Sequence, residues 1–287
     1  MANLKAIRKR IASVKSTQKI TRAMKLVSAA KPRRAQDQIL AARPYARALT
    51  EVITELATRA GGGAHPLLAE RAEKKIQLIV VTADRGMAGA YNTNVNRQAE
   101  RFAHEHQDAS EVGLVVLGKK GRDALRRRKV TIVQELGGVI GATALERARE
   151  LARAAAADFG AQKLDAVYVV YNEFKNAASQ KVQTERLLPV VPKTLPPEAT
   201  PVDYLYEPSK PVVLDRLLPM YVEIELYRCL LEAIASEFGA RMSAMENATN
   251  NAEDMISRLT LNYNRARQAA ITKELAEIVG GAEALRS

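Results

Sequence analysis

The chain has 287 residues, 44 Lys and Arg against 32 Asp and Glu, and a formal net charge of +12. The first 50 residues hold thirteen basic side chains and one acid, Asp37, so the whole net charge resides there; the other 237 residues balance at 31 bases and 31 acids. A single cysteine, Cys229, excludes an internal disulfide and fits a reducing compartment. No apolar run approaches the ~18–20 residues that span a bilayer, and no hydrophobic stretch follows the basic start as it would in a secretory leader.

Residues 3–58 lack glycine and read as helix. Leu4, Ile7, Ile11 and Val14 have the alternating three- and four-residue spacing of a coiled-coil seam. The same register then meets Gln18, Thr21, Lys25 and Ser28, so a shift to Thr17, Ile20, Met24 and Val27 is expected. Tyr45, Leu49, Val52 and Leu56 restore an apolar seam. Pro32 and Pro44 should kink or interrupt the helix, and Gly61, Gly62 and Gly63 end it.

Residues 75–190 alternate short β-rich runs with helical stretches. Strands are expected at 76–81, 112–117, 130–133, 166–171 and 182–190, and helices near 92–106, 119–128 and 143–159. This alternation predicts a parallel sheet covered by helices. A Pro-rich stretch from Pro189 to Pro211 marks an irregular exit.

From Leu217 a regular seam runs through Tyr221, Ile224, Arg228, Leu231, Ala235, Phe238, Met242, Met245, Thr249, Ala252, Ile256, Leu259, Tyr263 and Ala266 to Ala270. At 1.5 Å per residue it spans about 80 Å, with Pro219 in its tolerant first turn. So long a seam needs a helical partner, and the N-terminal helix matches it in length. The expected fold class is α/β: a long antiparallel coiled coil of N- and C-terminal helices with an inserted Rossmann-like α/β domain. The expected segments are an N-terminal shaft helix (1–60), a linker (61–74), an α/β globular domain (75–190), an irregular foot (191–211) and a C-terminal shaft helix (212–287).

No catalytic constellation emerges. Gly86-Met-Ala-Gly89 lies between strand and helix but lacks the third glycine of a dinucleotide loop. Gly118-Lys-Lys-Gly121 is too short for a Walker loop. His104 and His106 sit two apart on a helix, a poor metal pair, and Cys229 reads as a packed thiol. Glu173 reads as a strand-end acid. Neither a cofactor nor a metal is expected.

Lys5, Arg8, Lys15, Lys19 and Arg22 form a basic stripe beside the seam. Such a stripe could track nucleic-acid phosphates, lie on an anionic membrane or meet an acidic protein. No aromatic residue precedes Tyr45, so base stacking has no support.

Several long motifs resemble the gamma subunit of rotary F-type ATP synthases: Ile7 to Val27, Ala240 to Asn251, and Tyr263 to Glu277 closing with Gly281-Ala282. Thr82 to Gly89 is similar to the family's Asp-Arg-Gly loop, and Asp203 to Pro208 to its foot motif. Met87-Ala88 departs from the usual Leu-Cys, Pro32 stands where a helix former is usual, and no cysteine-bearing regulatory insertion is present.

The resemblance implies a non-catalytic central-stalk rotor that carries torque between a membrane c-ring and an alpha/beta hexamer during proton-driven ATP synthesis. Its implied partners are the alpha, beta and epsilon subunits and the c-ring, not nucleic acid. Its implied place is the cytoplasmic face of the bacterial plasma (inner) membrane, held there through the complex. Met24, Lys25, Asp84, Arg85, Arg267, Gln268, Thr272 and Glu274 match positions that contact beta. Tyr204 and Glu207 match the foot near the rotor ring and epsilon. A basic coiled-coil nucleic-acid module and a nucleotide-binding α/β enzyme remain as alternatives.

Overall fold

A computed structural model describes residues 4–60, 65–106, 110–137, 143–176, 179–191, 207 and 209–284. The elements, in order, are α1 (Leu4–Ala60), a 3-10 turn (Pro66–Leu68), β1 (Lys75–Val81), α2 (Tyr91–Glu105), β2 (Glu111–Leu117), α3 (Lys119–Leu125), β3 (Thr131–Leu136), α4 (Thr143–Gly160), β4 (Ala166–Phe174), β5 (Gln180–Leu188) and α5 (Lys210–Ala284). The chain divides into two compact units: residues 1–27 with 242–287, and residues 28–241.

The larger unit is built on a five-stranded sheet in the order β3-β2-β1-β4-β5. β3, β2, β1 and β4 are parallel, and β5 returns antiparallel on β4. The sheet is therefore mixed, not fully parallel as the sequence suggests. Only a two-residue stretch outside the described residues and a few neighbours separate β4 from β5, too little chain for a parallel crossover.

Strand residues alternate between faces, and the two faces carry separate cores. Ile76, Leu78, Val80, Leu114, Val116 and Val170 pack under α2, which contributes Val95, Ala99 and Phe102. Ile79, Val81, Val115, Leu117, Val167, Val169 and Tyr171 face α4, α5 and the end of α1. There Phe159, Leu218, Leu226, Leu230, Ile53 and Leu56 are each at most 2% exposed. Burying each such side chain is worth roughly 1.5–3 kcal/mol, so the sheet and these helices form one core. Cys229 lies in that core, and burial pushes its thiol well above the ordinary range.

Three expectations for the helices change. α1 is continuous through the positions of Pro32 and Pro44 rather than interrupted there. One proline costs about 3 kcal/mol in a helix interior, which a helix anchored by burial elsewhere can absorb. Second, α5 begins at Lys210, so Pro219 lies inside the helix and not in its first turn. Third, the first part of α5 does not bury the predicted narrow seam. Its deepest line is Leu214, Leu218, Val222, Leu226 and Leu230, while Leu217, Tyr221, Ile224 and Arg228 are only half-buried. A sheet offers a broad surface, and a helix lying on it buries a wider face than a coiled coil does. From Leu231 onward the predicted positions Leu231, Ala235 and Phe238 are buried as expected.

Candidate partner-contact sites

The smaller unit pairs the first turns of α1 with the last part of α5. Leu4, Ile7, Ile11 and Val14 are half-buried, as are Ile256, Leu259, Tyr263, Ala266 and Ala270, while Met245 and Ala252 are buried. The paired seam is therefore real on both helices.

The register shift expected after Val14 does not occur. Gln18, Thr21 and Lys25 keep facing inward, with Thr21 8% exposed. Ile20 and Val27 instead stand 57% and 59% exposed, and Leu26 68%. The physical reason lies in the partners found across the unit. Thr249 Oγ1 donates to Thr21 Oγ1 at 2.8 Å, and Thr21 Oγ1 donates to the Gln18 carbonyl at 3.0 Å. Lys25 Nζ donates to Glu246 Oε1 at 2.6 Å. Once these polar groups are satisfied, an unshifted helix needs no local unwinding, and the apolar residues are left outside.

The residues singled out from the sequence fall into the two units. Met24 and Lys25 lie half-buried in the smaller one, Lys25 in the ion pair with Glu246. Arg267, Gln268, Thr272 and Glu274 are all exposed there, and every described side chain from Ile271 to Ala282 is exposed. Ile271, Leu275, Ile278 and Val279 are 48–67% exposed in that stretch. Ala266 and Ala269 both line an open groove with Ile7, Arg10 and Leu259, Ala266 half-buried and Ala269 exposed. The basic side chains Lys15, Lys19 and Arg22 are exposed on α1.

Asp84 and Arg85 lie in the larger unit, on the loop after β1. Asp84 is half-buried, and its Oδ1 accepts from the Lys119 amide at 3.0 Å. Arg85 is exposed. The loop is held from behind by Thr82, whose Oγ1 donates to the Leu117 carbonyl at 2.8 Å and accepts from the Gly121 amide at 2.9 Å. Asn92 Oδ1 accepts from the Ala83 amide at 2.9 Å. Met87 and Gly89 take positive φ of 61° and 55°, so the loop turns sharply and presents Arg85 and Met87 outward. Glu207 is exposed, and Tyr204 lies outside the described residues.

Two polar clusters were not foreseen. Arg228 sits among three carboxylates, with Glu185 Oε2 at 2.5 Å, Glu225 Oε2 at 2.9 Å and Glu232 Oε1 at 3.0 Å. Tyr171 Oη joins it, donating to Glu185 Oε1 at 2.6 Å. Burial and the neighbouring charges raise the Tyr171 hydroxyl far above its usual range. The second cluster, around Arg241 and Glu237, lies at the β1 loop. Its helical four-residue spacing was legible, but its burial was not. Among the described residues no group of three or more His, Cys, Asp or Glu is arranged to hold a metal.

Comparison with known proteins agrees with this geometry. The sequence profile of the ATP synthase family matches residues 3–285. The ATP synthase gamma chain of Anaeromyxobacter sp. (strain K) is 51% identical over 290 residues, covering 100% of each chain. A chain from the central stalk and c-ring of Tetrahymena thermophila mitochondrial ATP synthase superposes with a TM-score of 0.60 at 25% identity, over 80% of this chain and 99% of that one. A chain of the Euglena gracilis mitochondrial ATP synthase shares the fold with a TM-score of 0.68 at 21% identity, over 98% and 94%. The near-complete match in both directions leaves no support for a nucleic-acid module, and the chain belongs to the family of ATP synthase gamma chains.

Proposed function

We propose that the chain is the turning shaft of a proton-driven ATP synthase. The observation that carries this is the uncovered end of α5: a helix with Ile271, Leu275, Ile278 and Val279 all about half exposed or more has apolar surface that its own chain does not bury. In this reading the alpha and beta subunits surround that end, with Arg267, Gln268, Thr272 and Glu274 touching beta. Lys15, Lys19 and Arg22 add a positive face that meets acidic loops of beta. Met24, Lys25, Asp84 and Arg85 contact beta further along, and Tyr204 and Glu207 lie at the foot against epsilon and the c-ring. ATP chemistry belongs to the beta subunits. The shaft presents different side chains to each of them and shifts their open and closed populations. No helix among the described residues is long and apolar enough to cross a membrane; in this reading the chain is held at the cytoplasmic face through the c-ring.

The test is a single-molecule assay on the assembled complex. Cys229 is buried and is the only cysteine, so R127C provides one accessible thiol for a bead on the α/β domain. The bead should turn during ATP hydrolysis, and a stationary bead on an active complex would overturn the proposal. Replacing Lys15, Lys19 and Arg22 together by Gln should lower torque while leaving assembly intact. Lys25 is excluded from that set because it is paired within the chain.

A further inference from the structure

The sheet reverses its winding at β1. β2 and β3 lie to one side of it, and β4 and β5 to the other. In open α/β sheets such a reversal opens a crevice beyond the carboxyl ends of the strands, and ligands bind there. In this chain the crevice lies between the loop after β1 and the end of β4, and α5 fills it.

The filling is specific. Tyr91 Oη donates to the Ala233 carbonyl at 3.1 Å. Asn172 Nδ2 donates to the Tyr91 carbonyl at 3.3 Å, and Ser236 Oγ donates to the Asn172 carbonyl at 2.9 Å. These three contacts join α5, β4 and the start of α2 in one relay. A turn further along α5, Arg241 Nη2 pairs with Glu237 Oε1 at 2.5 Å, and its Nε and Nη2 lie 3.4 and 3.5 Å from the Gly86 carbonyl. Ala83 and Ala88 on the loop and Ala240 on the helix are small enough for the two backbones to approach closely. Ser236, Glu237 and Arg241 are only 0%, 2% and 6% exposed.

A helix seated by apolar contact alone can settle in neighbouring grooves at little cost. A buried ion pair and a hydrogen-bonded relay fit one rotational setting only, because any other leaves buried polar groups unpaired. The stability of the larger unit already comes from the apolar core under α5. The polar contacts therefore contribute angular definition.

We propose that this crevice is a helix-binding site whose occupant is Ala233–Arg241 of α5, and that Arg241, Glu237, Ser236, Tyr91 and Asn172 form a torsional latch. They are positioning residues: they hold α5 at a fixed angle on the sheet, so that a twist applied to the α/β domain enters α5 without slip. This rests on the shaft reading above.

The test uses the assembled complex with the R127C bead. E237L/R241M replaces the buried pair by apolar groups of similar size, a change expected to leave stability nearly unaltered. Its melting temperature and maximal ATP hydrolysis should match those of the parent. The angular variance of the bead during catalytic pauses should rise about twofold, as for loss of one of two parallel restraints. Y91F, which removes a single buried hydroxyl, should widen the same distribution at only the small drop in melting temperature that one lost hydrogen bond gives; it carries the test if the double variant folds poorly. If the parent bead turns and both folded variants show the parental variance, the latch is overturned while the shaft survives. If the parent bead does not turn, the shaft reading fails first.

Discussion

Thr249 Oγ1 lies 2.8 Å from Thr21 Oγ1, joining α5 to α1 within the paired seam. The bond explains why α1 keeps its register where the sequence suggests a shift, and it leads to a first prediction. Replacing either threonine by valine keeps the shape and removes the bond. Each single change should cost about 0.5–1.5 kcal/mol in chemical denaturation, and the pair of changes should cost less than the sum. Strict additivity would mean that the two hydroxyls do not set the register.

One turn away, Lys25 and Glu246 form an ion pair with side chains 37% and 46% exposed. So open a pair is worth at most about 1 kcal/mol. K25E should destabilise the complex by placing two acids together, and K25E/E246K should restore it. The restoration should weaken in high salt, because exposed charges are screened. A double reversal that melts like K25E would show that Lys25 acts chiefly on a partner outside the chain.

The Arg228 cluster predicts a pH dependence. Burial raises the Glu232 carboxyl above its ordinary 4.5, against the opposing pull of Arg228. The folded protein then holds that proton to a higher pH than the unfolded chain does. Between 4.5 and the raised value the folded state binds more protons, so this group's contribution to stability falls as pH rises through that window. E232Q, which can still accept from Arg228, should flatten that part of a melting-temperature profile. R228M should be far more damaging, at about 3–5 kcal/mol, since it leaves three acids around a lost cation.

Gly118 predicts a backbone effect. Its φ is +96°, and a Cβ there would lie 2.2 Å from the Thr82 carbonyl oxygen. G118A must therefore push β2's exit away from the loop that carries Asp84 and Arg85. It should lower the melting temperature of the chain, whereas G160A, with nothing within 4 Å of its Cβ, should not.

The sequence by itself determined the long terminal helices, the strand–helix alternation between them and the family. These features repeat along the chain, so local spacing and composition are enough to reveal them. Its seam positions from Thr249 onward also held, because there one narrow helix face is covered at regular spacing while its neighbours are exposed. Tertiary structure decided the rest. A polar residue such as Thr21, Lys25 or Arg228 looks like a break in an apolar pattern until its partner is in place, and Thr249, Glu246 and Glu185 are distant in sequence. The basic first 50 residues fixed a charge, but not which bases are spent within the chain. Lys25 is, while Lys15, Lys19 and Arg22 stand exposed. The crevice beyond β1 follows the same logic. Gly86 and Gly89 lack the third glycine of a dinucleotide loop, and a helix arriving from more than 140 residues away packs against that turn.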